Sequence, residues 1–217
     1  MAKKDTIEIK MLSDGRTYSI ENTKYDTLER VFMYAKENMT SPCMFHLLSH
    51  IDDPELFRTT KRTLIKSFKS ALKRQYKPLK QQCPDTLIAY SIEFKYTSKK
   101  EIDGDKDAYG SSNHSLLRTK ETLPFLHIHF YVIADCKKTI APTFPNYAIK
   151  ALNELKGLRA GRYLKSINGE IYKSLNKDCD DAFSRFLYIG KISQKSPEIP
   201  YRKTFDTSKV DKEYKAG

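Results

Sequence analysis

The chain has 217 residues, 39% hydrophobic and 30% charged, enough for one sizeable core, and its apolar runs fall well short of the roughly 18 residues that span a bilayer. Lysine and arginine outnumber aspartate and glutamate by 39 to 27, a formal charge of +12 that favours a polyanionic partner, nucleic acid first. Cys43, Cys83, Cys136 and Cys179 lack the spacing of a disulfide framework or structural zinc site, and the polar opening Met1-Ala-Lys-Lys-Asp5 marks no export, so a cytoplasmic protein without membrane contact is expected.

Ile7 to Leu12 and Thr17 to Glu21 flank Asp14-Gly15, a turn signal that predicts a short hairpin. A helix follows over Asp26–Asn38, with Leu28, Val31, Phe32 and Ala35 on one face. Cys43 to Ile51 is apolar and strand-sized, and Asp52-Asp53-Pro54 starts a helix reaching Tyr76. Leu64, Ile65, Phe68 and Leu72 form its buried stripe, while Arg58, Lys61, Arg62, Lys66, Lys69, Lys73 and Arg74 make a basic surface that is either solvated or suited to phosphates.

A second strand runs from Leu87 to Tyr96. Ile88, Tyr90, Ile92, Phe94 and Tyr96 face one way, and Ala89, Ser91 and Glu93 the other. Residues 97–122 are a polar connection to the strand Leu123–Ala134, which makes the two strands antiparallel neighbours. Tyr147–Leu155 reads as a helix, Arg162–Lys173 as a hairpin around Asn168-Gly169, and Asp180–Gln194 as a last helix before a charged, extended or disordered tail at 196–217.

The chemistry concentrates in Leu123–Ala134. Alternation points Phe125, His127, His129, Tyr131 and Ile133 to one face, and Leu126, Ile128, Phe130 and Val132 to the other. The second set packs on a core, so the first presents two imidazoles, donors that suit divalent transition metals. The plain alternative is a pair of half-buried strand histidines without a ligand. If the two strands share their apolar face, Glu93 joins both histidines, and two histidines with a carboxylate leave coordination positions open for substrate. Glu121 and Asp135 are less favoured third ligands. In Phe186–Ser193, Tyr188 and Lys191 are three apart and share a helix face. A tyrosine oxygen can act as a covalent nucleophile when a metal or lysine stabilises its charge, although this spacing alone is common.

The order of these parts, strand, basic helix, carboxylate strand, His-x-His strand and tyrosine helix, resembles the HUH superfamily of single-strand endonucleases, particularly the rolling-circle replication initiators of plasmids and single-stranded DNA phages. His127 and His129 match the paired histidines, Tyr188 the nucleophile, Lys191 the lysine after it, and Glu93 the third ligand by strand position, over about residues 43–195. The resemblance implies an α+β fold with a central antiparallel sheet, helices packed on one face in a split βαβ arrangement, and the metal on the open face. It divides the chain into an N-terminal hairpin and helix extension at 1–40, a nuclease domain at 41–195 and the tail. It further implies magnesium or manganese at Glu93, His127 and His129, and attack by Tyr188 on single-stranded or hairpin origin DNA. The product is a 5′-phosphotyrosine and a free 3′-OH, with Lys191 neutralising the phosphate. Ser184 stands one turn before Tyr188, which disfavours a two-tyrosine initiator. No Gly-x-x-x-x-Gly-Lys-Ser/Thr loop is present, so host helicase and polymerase are implied partners. A small mobilisation relaxase or transposase shares this chemistry. A cupin-like metalloenzyme and a non-catalytic basic DNA-binding protein are the readings from other classes.

Overall fold

The computed structural model describes residues 5–12, 15–98, 122–136, 141–165, 169–192 and 199–210. The connection after Ser98, with Glu121, lies outside them, as do Asp14, Asn168 and residues 211–217. The elements run β1 (Thr6–Lys10), β2 (Thr17–Glu21), α1 (Asn22–Asn38), β3 (Pro42–Ile51), α2 (Pro54–Lys61), α3 (Leu64–Tyr76), β4 (Thr86–Ser98), β5 (Thr122–Asp135), α4 (Phe144–Asn153), β6 (Leu158–Tyr163), β7 (Lys173–Ser174), α5 (Cys179–Leu187) and β8 (Phe205–Thr207).

The expected α+β architecture is present. One antiparallel sheet has the order β6-β3-β5-β4-β8, with β7 also on β3, and β1 and β2 form a separate hairpin. Long strands with an apolar set at every second position must bury that set, and here both faces do so. On the first face, Phe45, Leu47, Ile88, Ile92, Ile128, Phe130 and Val132 pack with Phe57, Leu64, Phe68 and Leu72 of α2 and α3 and with Phe144, Ala148 and Leu152 of α4. On the second, Met44, Leu87, Ala89, Tyr131 and Ile133 pack with Leu28, Val31 and Phe32 of α1 and Ala182, Phe186 and Leu187 of α5. The face read as open is thus covered by α1 and α5 over part of its length, because its residues toward one end are themselves apolar.

Four local expectations change. The long basic helix is two, α2 and α3, broken at Arg62-Thr63, where Thr63 leaves helical dihedrals (φ −123°) and its carbonyl starts α3 by accepting from the Ser67 amide at 2.7 Å. The start of α2 is as read: Asp53 accepts a hydrogen bond from the Leu56 amide at 2.8 Å, and Pro54 occupies the first turn. Among the described residues, 162–173 form no hairpin with each other, since β6 and β7 each pair with β3, whose ten residues are long enough to hold both. The last helix stops at Leu187, and Tyr188–Gly190 tighten into a 3-10 turn. Part of the charged tail is ordered: β8 pairs with β4, and Ile199 and Tyr201 are buried in the first core.

Gly157, in the turn between α4 and β6, fixes how that edge strand meets α2. It has φ +77°, and an added Cβ would lie 2.6 Å from the Phe57 nitrogen and 2.8 Å from the Asp53 carbonyl oxygen, backbone atoms that cannot rotate away. Gly157→Ala is expected to destabilise the fold by about 3 kcal/mol, a fall in Tm of roughly 8 °C in a thermal melt. An unchanged melt would contradict this close approach.

Candidate metal centre

Register sets the site. In the antiparallel pairing of β4 with β5, Ile92 lies opposite Ile128 and Glu93 opposite His127, with Ser91 opposite His129. The apolar members face the first core, so Glu93, His127 and His129 project together from the second face. The carboxylate Oε2 of Glu93 is 3.9 Å from His127 Nε2 and 3.7 Å from His129 Nε2. One donor atom from each residue lies within 4.8 Å of the others. Metal–ligand bonds of about 2.1 Å place donors about 3.0–3.5 Å apart, so small inward rotations close this set around an ion. Glu93 and His127 are 1% and 3% exposed. Burial at that level excludes a chance surface cluster.

Asp135, the alternative third ligand, is elsewhere. It sits at the end of β5 and accepts from the backbone amides of Thr40 and Ser41, at 3.2 and 2.7 Å, tying the start of β3 to its neighbour.

Tyr188 and Lys191 join the site from the 3-10 turn after α5. Lys191 is buried, its Nζ 3.1 Å from Glu93 Oε2. The same ammonium donates to Tyr188 Oη and lies 3.8 Å from the centre of the tyrosine ring. The N-terminal hairpin holds this turn in place. Lys191 bridges Ile20, the Ile192 amide donates to the Ser19 carbonyl, and Gly190 packs so closely on Ile20 that an added Cβ would clash with its side chain. Tyr18 braces the nucleophile candidate with an edge-to-face contact at 5.4 Å, while its hydroxyl donates to the Ser184 carbonyl.

Two site residues were not singled out in the sequence. His46 and His50 lie on β3, where pairing puts His46 opposite Tyr131 and His50 opposite His127. His46 Nε2 is 2.8 Å from His129 Nδ1, and its ring stacks on Tyr131 at 4.3 Å. His50 Nε2 accepts from the Arg162 guanidinium at 3.2 Å, and its ring meets Phe125 edge-on. The signal was their four-residue separation, which keeps both on one side of a strand. The cations of α2 and α3, by contrast, stand behind the sheet, on helices packed against the face opposite Glu93, and Arg58 and Arg74 pair with Glu55 and Glu154.

Burial governs the protonation of these histidines. It pushes His46 down to about 3, helped by Lys191 and Arg185, and His127 down to about 3, helped by Lys95. His50 falls to about 4 through burial and the neighbouring Arg162 and Arg159. All three are therefore neutral at pH 7, the state that can ligate a metal or accept a hydrogen bond.

No family model, curated protein or solved structure matches the chain.

Because these folded values lie below the ordinary value of 6.5, the unfolded chain binds more protons as pH falls under about 6.5, and stability drops. Each such histidine contributes a slope of about 1.4 kcal/mol per pH unit between its folded and unfolded values. Urea unfolding of metal-free protein in EDTA should show stability rising steeply from pH 4.5 to 6.5, and His50→Gln should reduce the slope by about one proton. A flat profile would mean that these rings are not held neutral by burial.

Proposed function

We propose that this protein cuts and rejoins single-stranded DNA by metal-assisted attack of Tyr188 on a phosphodiester, as a small replication initiator or a mobile-element enzyme of the same chemistry. The observation that carries the reading is the shared ammonium: Lys191 touches both the Tyr188 hydroxyl and the Glu93 carboxylate. A nucleophile and a candidate metal ligand are thereby one side chain apart. Glu93, His127 and His129 would hold magnesium or manganese, which would supply Lewis-acid polarisation of a phosphate oxygen when bound.

The protein's own groups do the rest. Tyr188 Oη forms the new bond to phosphorus, the bond to the 3′ oxygen breaks, and the phenol proton leaves to solvent while the departing oxygen takes one up as a 3′-OH. Tyr188 is partly exposed, which allows that exchange. Lys191 donates to the phenol oxygen and stabilises negative charge as it develops there, and it offers a compact cation to the phosphate. Tyr18 and the Ile20 contact hold the turn, so the attacking oxygen is oriented before substrate arrives. The 5′-phosphotyrosine retains a phosphodiester, so a 3′-OH can reverse the step and rejoin the strand.

The net charge of +12 supports a polyanionic substrate, and single-stranded or hairpin origin DNA, with a host helicase and polymerase, completes the proposal. A cupin-like enzyme encloses its metal in a double-sheet jelly roll, whereas this metal group stands on one sheet backed by helices.

The test is a panel of labelled single-stranded oligonucleotides incubated with protein and manganese, then resolved on a denaturing gel. A covalent protein–DNA band is expected with manganese, absent with EDTA and absent in Tyr188→Phe, while Lys191→Met should slow its formation by about 10²-fold or more. An adduct that survives Tyr188→Phe would remove the tyrosine from the mechanism. Metal binding and DNA retention with no adduct from any sequence in the panel would favour a non-catalytic DNA-binding protein.

A further inference from the structure

His129 offers two ring nitrogens, and the structure uses them differently. Nε2 faces the Glu93 carboxylate at 3.7 Å, and Nδ1 faces His46 Nε2 at 2.8 Å. A neutral imidazole carries one proton, so a ring that gives its Nε2 lone pair to a metal keeps the proton on Nδ1. That proton needs an acceptor in a largely buried setting, and His46 Nε2 is within hydrogen-bond distance of it.

We propose that His46 is a positioning residue for the metal centre, accepting from His129 Nδ1–H and so fixing the tautomer that aims Nε2 at the ion. This rests on the metal-site reading of Glu93, His127 and His129. His46 is well suited to the role, because its ring stacks flat on Tyr131, with 15° between the planes, and the Nε2 contact with His129 lies in that stacked orientation. Accepting at Nε2 leaves the His46 proton on Nδ1. The ring borders a cavity of about 30 Å3, shared with Tyr131, Glu170, Lys173 and Arg185, that has room for one water to receive that proton. The two metal-facing histidines are thus held by different means. Among the described residues, His127 stacks on Phe125 at 4.7 Å and has a long 3.4 Å contact from Nδ1 to the Phe125 carbonyl, whereas His129 Nδ1 has a side-chain partner at 2.8 Å. Partners of this kind tune metal affinity by 10–100-fold in other sites.

The test is manganese binding to the full chain, read from the electron paramagnetic resonance of the free ion, alongside thermal melts. His46→Phe keeps the stacking on Tyr131 but removes the acceptor, and is expected to raise the Kd for manganese about 10–100-fold. His46→Gln places an amide oxygen near the former Nε2 and is expected to restore binding to within about threefold of the parent. Equal affinity in parent and His46→Phe would overturn the positioning role while leaving the metal site intact. A loss in His46→Phe as complete as in His129→Ala would overturn it in favour of direct ligation, and equal loss in both His46 variants would overturn the acceptor role. A parent protein that binds no manganese would instead take down the metal-site reading and this inference with it. Nitrogen-detected NMR of the zinc-loaded parent needs no variant: protons on Nδ1 of both His46 and His129 support the assignment, and a proton on His46 Nε2 contradicts it.

Discussion

The site depends on the register of β4 against β5. A strand's side chains alternate, so a slip of one residue would send Glu93 into the apolar core and expose Ile92 in its place. The core prevents this. Ile88, Tyr90 and Ile92 on one strand and Ile128, Phe130 and Val132 on the other are all sealed under α2, α3 and α4, and a one-residue slip would take one of these sets out of the core. The burial of six large side chains, each worth about 1.5–3 kcal/mol, therefore holds a carboxylate and two imidazoles in place on the opposite face. The polar group is a by-product of apolar packing and needs no contact of its own to assemble.

What the register creates is a buried carboxylate, and a buried charge is costly unless a cation meets it. Lys191 does so, and its delivery explains much of the remaining architecture. The lysine comes from a turn beyond α5, the turn is held by β2, and α1 packs against α5 to complete the second core. The N-terminal hairpin and helix, whose purpose was opaque in the sequence, help to set the position of Lys191 and Tyr188. That carboxylate also belongs to the group that could hold a metal ion, so the Lys191 ammonium stands between a candidate metal ligand and the tyrosine oxygen to which it donates.

The legible parts of this protein were those written in local alternation. His127 and His129 share a face because they are two apart, and Glu93 joined them because an apolar face identifies its own opposite. Tyr188 and Lys191 kept their three-residue relation in a 3-10 turn as they would have in a helix. His46 and His50 were obscured by a strand apolar on both sides: Met44 and Leu48 share their face, Phe45 and Leu47 occupy the other, and no polar alternation marks which side is which. The break at Thr63 is one residue's departure from helical dihedrals, which the continuous basic pattern around it does not mark, and β8 is three residues long in a charged segment. Its pairing is decided by the free edge of β4, which no property of Phe205–Thr207 reveals. The separate attachment of β6 and β7 to β3 likewise follows from tertiary pairing, which no local turn signal between them could reveal.

The most direct measurement is anomalous diffraction from crystals of the protein soaked in manganese. The structure predicts one strong peak about 2.1–2.3 Å from the Glu93 carboxylate, His127 Nε2 and His129 Nε2, with the Lys191 ammonium moved off Glu93 and still beside Tyr188. No peak at that position, with Lys191 still paired to Glu93 at saturating manganese, would contradict it and leave a buried ion pair beside two histidines.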